Sequence, residues 1–213
     1  MQSGKLLSHL YFSFHAMKVS NYLFLISLLI SPIAFNQIQT LNEFNSKRVQ
    51  YVEKGMLTLG AWSFANIASG TIGYLSSSGE ARYFHQMNAG WNIVNAVIAG
   101  TGYFQNKKRV NPSSLSESIL EQRKVEQAYL FNTALNFTYI STGLLLKSQA
   151  QHTTDNFHRF QGYGNSLILQ GGFLFLFDLS SYLIHKANRN KRLNPLLEKI
   201  EIADQGIGVK IKL

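Results

Sequence analysis

The sequence predicts an all-α fold, a transmembrane bundle of four core helices, with a basic tail that reads as either a small β-hairpin or a frayed end. Three observations predict it. Charged residues make up only 15% of the chain, against about 25% in soluble domains. Those charges crowd into a few segments and leave four long apolar runs nearly free of them. Each run is close to the twenty or so residues that cross a bilayer core. Mean hydropathy is only -0.03, so the signal lies in the distribution and not in the total. The soluble alternative is a helical bundle with a very apolar core, but runs this long exceed ordinary buried helices.

Residues 1–36 read as a signal peptide or a signal-anchor segment. Lys18 follows Met17 as a positive lead, and Tyr22-Leu-Phe-Leu-Ile-Ser-Leu-Leu-Ile30 is the apolar stretch. Ala34 and Asn36 stand where small residues would mark cleavage, and Asn36 fits poorly. Residues 37–54 are a polar lead-in with Lys47, Arg48 and Lys54. The first core segment, about 55–76, contains Trp62 and Phe64 and no charge; at 1.5 Å per residue it spans ~33 Å. A short polar turn precedes the second segment, about 86–104. Lys107-Lys108-Arg109 and Asn111-Pro112 open the next loop, where Ser114-Leu-Ser-Glu117 reads as a capping box that starts a charged helix. That helix leads into the third segment, about 127–146. A polar loop then precedes the fourth, about 163–184, and the four segments together define a bundle over 55–185. The tail, 186–213, opens with a charge run. It then alternates apolar residues at Ile200, Ile202, Ile207, Val209, Ile211 and Leu213 around Asp204-Gln205-Gly206.

The net charge of +9 would suggest nucleic acid in a soluble protein. Here the Lys and Arg residues flank apolar segments, and no nucleic-acid motif is present. With four crossings, the lead-in, the second loop and the tail hold fifteen Lys and Arg, while the first and third loops hold three. The positive-inside bias places the fifteen-charge side in the cytoplasm. A cleaved signal predicts the opposite, whereas an uncleaved anchor adds a fifth crossing and removes the conflict. The absence of Cys excludes disulfides and thiol chemistry. The expected location is a bacterial inner (cytoplasmic) membrane, with the lipid bilayer as first partner and a homo-oligomer or membrane-protein partner beside it.

Polar residues within the apolar runs are the candidate site. Asn88, Asn92 and Asn95 share one face of the second helix, and Asn132 and Asn136 one face of the third. Asn66 lies mid-span in the first helix; Gln170 and Asp178 lie two turns apart in the fourth. Hydrocarbon offers these groups no partner, so they must point inward. Two readings follow. The amides are helix glue, each worth roughly 0.6–2 kcal/mol, or the cluster lines a polar pathway, with Asp178 its most costly member. Ala65-x-x-x-Ser69, Asn66-x-x-x-Gly70 and Gly171-Gly172 would permit close helix approach.

His85, His152 and His158 fall on one side of the bundle and make a weak three-ligand metal candidate. No cofactor is expected. No phosphate loop, hydrolase elbow, zinc-protease or dinucleotide motif occurs, and Ser166 with His158 makes no credible nucleophile pair.

Two stretches, Tyr83-Phe-His-Gln-Met-Asn-Ala-Gly-Trp-Asn-Ile-Val-Asn95 and Gly162-Tyr-Gly-Asn-Ser-Leu-Ile-Leu-Gln-Gly-Gly-Phe-Leu-Phe-Leu-Phe-Asp178, resemble an uncharacterised family of small multi-pass membrane proteins of Bacteroidetes-type bacteria. The resemblance runs from the signal-like segment to Asn194-Pro195-Leu-Leu197. It implies a signal-like start, four helices and no assigned activity. Members tend toward an Ala-rich cleavage end, from which Ala34-Phe-Asn36-Gln37 departs.

Three functions compete: a non-enzymatic membrane protein with a structural, accessory or partner-binding role; a small-solute or ion carrier or channel using the intramembrane Asn, Gln and Asp residues; and a membrane enzyme acting on lipid through His85 or Asp178.

Overall fold

The computed structural model describes the backbone of residues 3–108, 111–112, 114–198, 200–203 and 206–209, with side chains for 36–108, 111–112 and 114–198. Four long helices dominate: α1 (Ser3–Ser76), α2 (Gly79–Lys108), α3 (Leu115–Ala150) and α4 (Phe157–Asn188). A π-helical turn, Arg189–Leu193, and a short helix α5 (Asn194–Leu197) continue α4. Beyond them β1 (Ile200–Ala203) pairs antiparallel with β2 (Gly206–Val209), Ile200 opposite Val209 and Ile202 opposite Ile207. Ile211 and Leu213, the last two members of the alternating pattern, lie outside the described residues.

The helices run past the apolar segments at their ends. Residues 37–54, expected as a separate polar lead-in, are part of α1. They contain no Gly or Pro, and nothing in them interrupts the backbone ladder. The helical backbone likewise runs through residues 17–36, but side chains up to residue 35 lie outside the described residues, so the signal-like pattern has no packing to report. At the other end of α1, Ser77 and Ser78 break the ladder and Gly79 takes φ +55°, a conformation that costs other residues strain. Ser114 caps α3 by accepting a hydrogen bond from the Glu117 amide at 3.2 Å, one half of the capping box.

The chain forms two tight helical hairpins, α1 with α2 and α3 with α4, joined along a seam between α2 and α4. By contrast, α1 touches α3 and α4 only lightly, and α2 barely meets α3. Small residues set these spacings. A Cβ on Gly70 would lie 2.9 Å from the backbone of His85 and Ala89, which makes the Asn66-x-x-x-Gly70 stripe the seam of the first hairpin. On α4, Gly164 abuts Gly143 of α3, and Gly162 abuts the backbone of Glu80 and Phe84 on α2. A glycine-rich first half thus lets α4 approach two helices at once.

The interior is inverted relative to a water-soluble domain. Among the described residues, more polar than apolar side chains are buried: Asn66, Asn88, Asn92, Gln122, Asn136, Ser166, Gln170 and His185 are all below a tenth exposed. The apolar cluster at the centre consists of Leu59, Ala99 and Leu174, with Phe173 and Phe177 packed against it. Large apolar side chains face outward instead, among them Phe64 (75% exposed), Phe131 (65%) and Leu176 (64%).

Four spans are expected from the sequence, but only one stretch among the described residues, Phe157–Leu197, is long and apolar enough by itself to cross a membrane. The Asn, Ser, Thr and Gly residues of the other three segments lower their mean hydropathy. Only 28% of that stretch's most apolar window is buried, whereas the core helix of a soluble protein would be mostly covered.

Candidate functional site

The polar residues picked out by their spacing fall into two groups. The first joins α1, α2 and α4. Asn88 Nδ2 donates to Asn66 Oδ1 at 2.7 Å, and Gln170 Nε2 donates to Asn66 Oδ1 at 3.3 Å and also to Asn88 Oδ1. Trp62 Nε1 closes the set by donating to Gln170 Oε1 at 3.0 Å. Asn66 Nδ2 returns to the Trp62 carbonyl at 2.8 Å. Below them on the same face of α2, Asn92 Nδ2 reaches the Asn88 carbonyl at 2.8 Å and Asn95 Nδ2 reaches Asn92 Oδ1 at 3.4 Å. These amides mostly satisfy one another, as polar groups in a low-dielectric interior must.

The second group joins α3 and α4. Asn136 Nδ2 donates to Asp178 Oδ2 at 2.6 Å, and Asn132 lies beside the same carboxylate. Gln170 and Asp178, two turns apart on α4, therefore serve different neighbours: Gln170 faces α1 and α2, and Asp178 faces α3. Asn95 stands between the groups. With Asn132, Asn136 and Asp178 it lines a partly open cavity of about 220 Å³ whose walls include Trp91 and Tyr139. The Trp91 and Tyr139 rings meet edge to face, 4.8 Å between centroids and 80° between planes, and so bridge α2 and α3 where those helices otherwise stand apart.

The three histidines do not converge as a metal centre. The His85 ring packs over Gly73, where a Cβ would overlap it. His158 lies against Gly79 at the α1–α2 turn and shares a surface pocket with His152 that His85 does not line. No three His, Cys, Asp or Glu side chains are grouped to hold a metal among the described residues. Ser166 is buried, and its Oγ has no hydrogen-bond partner among the described residues.

A third polar layer, at the opposite end of the bundle from the α1–α2 turn, has no counterpart in the sequence reading. Arg48, 1% exposed, lies 3.6 Å from Glu121. Asn45 Nδ2 donates to Ser118 Oγ at 2.9 Å, Gln122 Nε2 to the His185 carbonyl at 2.9 Å, and Asn188 Nδ2 to the Phe44 carbonyl at 3.2 Å. Arg189 pairs with Glu126 at 2.9 Å and Arg192 with Glu43 at 2.8 Å. The His185 ring stacks on Tyr129. The available signal was helical spacing: Phe44, Asn45 and Arg48 share a face, as do Ser118 and Gln122, and His185 and Asn188. Trp62, one turn before Asn66, could have been found in the same way.

Residues 58–179 match the model of a Family of unknown function (DUF6992). The match spans both polar groups and all four helices. No curated protein and no solved structure matches the chain.

Proposed function

The chain belongs to DUF6992, a family of unknown function, and we propose that it is a non-enzymatic integral membrane bundle with a structural, accessory or partner-binding role. One observation carries this reading: the inverted section of the molecule. Most of the outward apolar side chains fall within the four apolar runs, and they occur on all four helices. They include Leu57, Phe64, Ile72 and Leu75 on α1; Ile93, Val94, Val97 and Ile98 on α2; Phe131, Phe137, Leu144 and Leu145 on α3; and Leu169, Leu176, Leu183 and Ile184 on α4. Apolar surface of this extent on a soluble monomer would be a liability, while hydrocarbon accepts it and drives polar side chains inward. Hydropathy averaged along a helix misses this arrangement, because the Asn and Gln residues that lower the average are those turned inward.

The hydrogen bonding supports the structural role over a carrier. Asn66, Asn88 and Gln170 are committed to one another, and such closure suits glue between helices.

The test is fractionation of the full chain. Under this reading it stays in the membrane fraction through high-salt and alkaline washes and leaves only with detergent. A chain that is freely soluble and monodisperse without detergent overturns the reading.

A further inference from the structure

We propose that the cavity beside Asp178 binds a small organic ammonium ion. The inference goes beyond the structural role and does not depend on it, since the cavity walls come from the fold itself. The argument starts from the carboxylate. Asp178 is only 5% exposed, and among the described residues no Lys, Arg or His forms an ion pair with it. Four other described carboxylates, Glu43, Glu53, Glu121 and Glu126, each have a cationic partner, and all four are more exposed than Asp178. A buried carboxylate stays ionised only when paired and hydrogen-bonded, and otherwise takes up a proton. Asn136 supplies the hydrogen bond at 2.6 Å, and the positive partner is what remains to be supplied.

The walls favour an organic cation. Trp91 and Tyr139, set at 80° to each other, border the cavity together with Phe177. Aromatic faces attract ammonium groups through the ring quadrupole, and cages of such rings recognise methylated ammonium ions. Val94, Ile98 and Leu135 add apolar wall beside the amides of Asn95, Asn132 and Asn136, surfaces that suit methyl or methylene groups. A cavity of about 220 Å³ admits a small amine and excludes a large one. The cavity is partly open, and most of its lining comes from α2 and α3, the pair of long helices that barely touch along their lengths.

The experiment is a thermal-unfolding titration of the purified full chain in detergent, with tetramethylammonium chloride as the probe and sodium chloride at equal ionic strength as the comparison. Saturable stabilisation by tetramethylammonium above that by sodium is the expected result. Asp178→Asn, which keeps the side chain's shape and removes its charge, abolishes the difference. Tyr139→Leu keeps the charge and weakens binding by about tenfold, the worth of a desolvated cation–aromatic contact. Equal effects of the two salts on the unaltered chain overturn the proposal, whatever the variants do. Undiminished binding by Tyr139→Leu overturns the aromatic recognition even if Asp178→Asn does not fold. Because the readout is ligand-dependent stability, failure here leaves the fractionation result untouched.

Discussion

Gly171 and Gly172 are chain neighbours with opposite requirements. A Cβ on Gly171 would lie 3.0 Å from the Asn136 carbonyl oxygen and 2.9 Å from Ile140 Cγ1 on α3, while one on Gly172 would meet nothing within 4 Å. Gly171→Ala therefore pushes α3 from α4 and costs about 1–3 kcal/mol, the usual penalty for overpacking. Gly172→Ala removes only backbone freedom in a helix interior and gains about 0.5–1 kcal/mol. Thermal melts of the two variants in one detergent check this, and equal shifts would show that α3 and α4 are not packed at this seam. The pair Gly-Gly is visible in the sequence, but which member faces a neighbour is not. That depends on the rotation of α4 about its axis, which is set by Gln170 reaching α1 and α2 while Asp178 reaches α3.

At the scale of elements, the charged layer holds α1, α3 and the end of α4 together. Arg48 on α1 and Glu121 on α3 are 3.6 Å apart, and Glu121 also meets Lys124 at 3.0 Å. Loss of one member of a fully buried pair costs about 3–5 kcal/mol. Glu121, partly exposed and held by Lys124, lowers that figure, so Arg48→Met is expected to cost on the order of 2 kcal/mol. Arg48→Met combined with Glu121→Leu should recover part of the loss, since neither charge is then stranded. Denaturant unfolding of the single and double variants measures the coupling, and strictly additive losses would refute it. The sequence placed Arg48 in a polar lead-in and Glu121 in the charged helix that leads into the third apolar segment. Their contact arises because α1 continues through the lead-in and meets that part of α3.

For the molecule as a whole, both helical turns lie at one end. His158, at the start of α4, packs against Gly79 at the α1–α2 turn. The α2–α3 connection and α5 lie at the other end, where most Lys and Arg among the described residues sit. In a membrane the positive-inside bias places that basic end in the cytoplasm. The chain has no Cys, so single cysteines report cleanly. An impermeant thiol reagent added outside intact cells should label Ser78→Cys and Thr154→Cys but spare Asn111→Cys. The reverse pattern would invert the orientation, and labelling of all three would remove the crossing.

The order of the elements, their helical character, the Ser114 cap and the polar faces of α2 and α3 are all legible in the sequence, because each depends on residues within a few turns of one another. Membership in an uncharacterised family was legible as well, from two long motifs. The pairing of amides across helices, the separation of Gln170 from Asp178 and the cavity between Trp91 and Tyr139 depend on which helices touch and how each is rotated. Contacts between positions dozens of residues apart fix those quantities, and local spacing does not encode them. Only the tertiary structure therefore shows Asp178 as a buried carboxylate facing an aromatic-walled space.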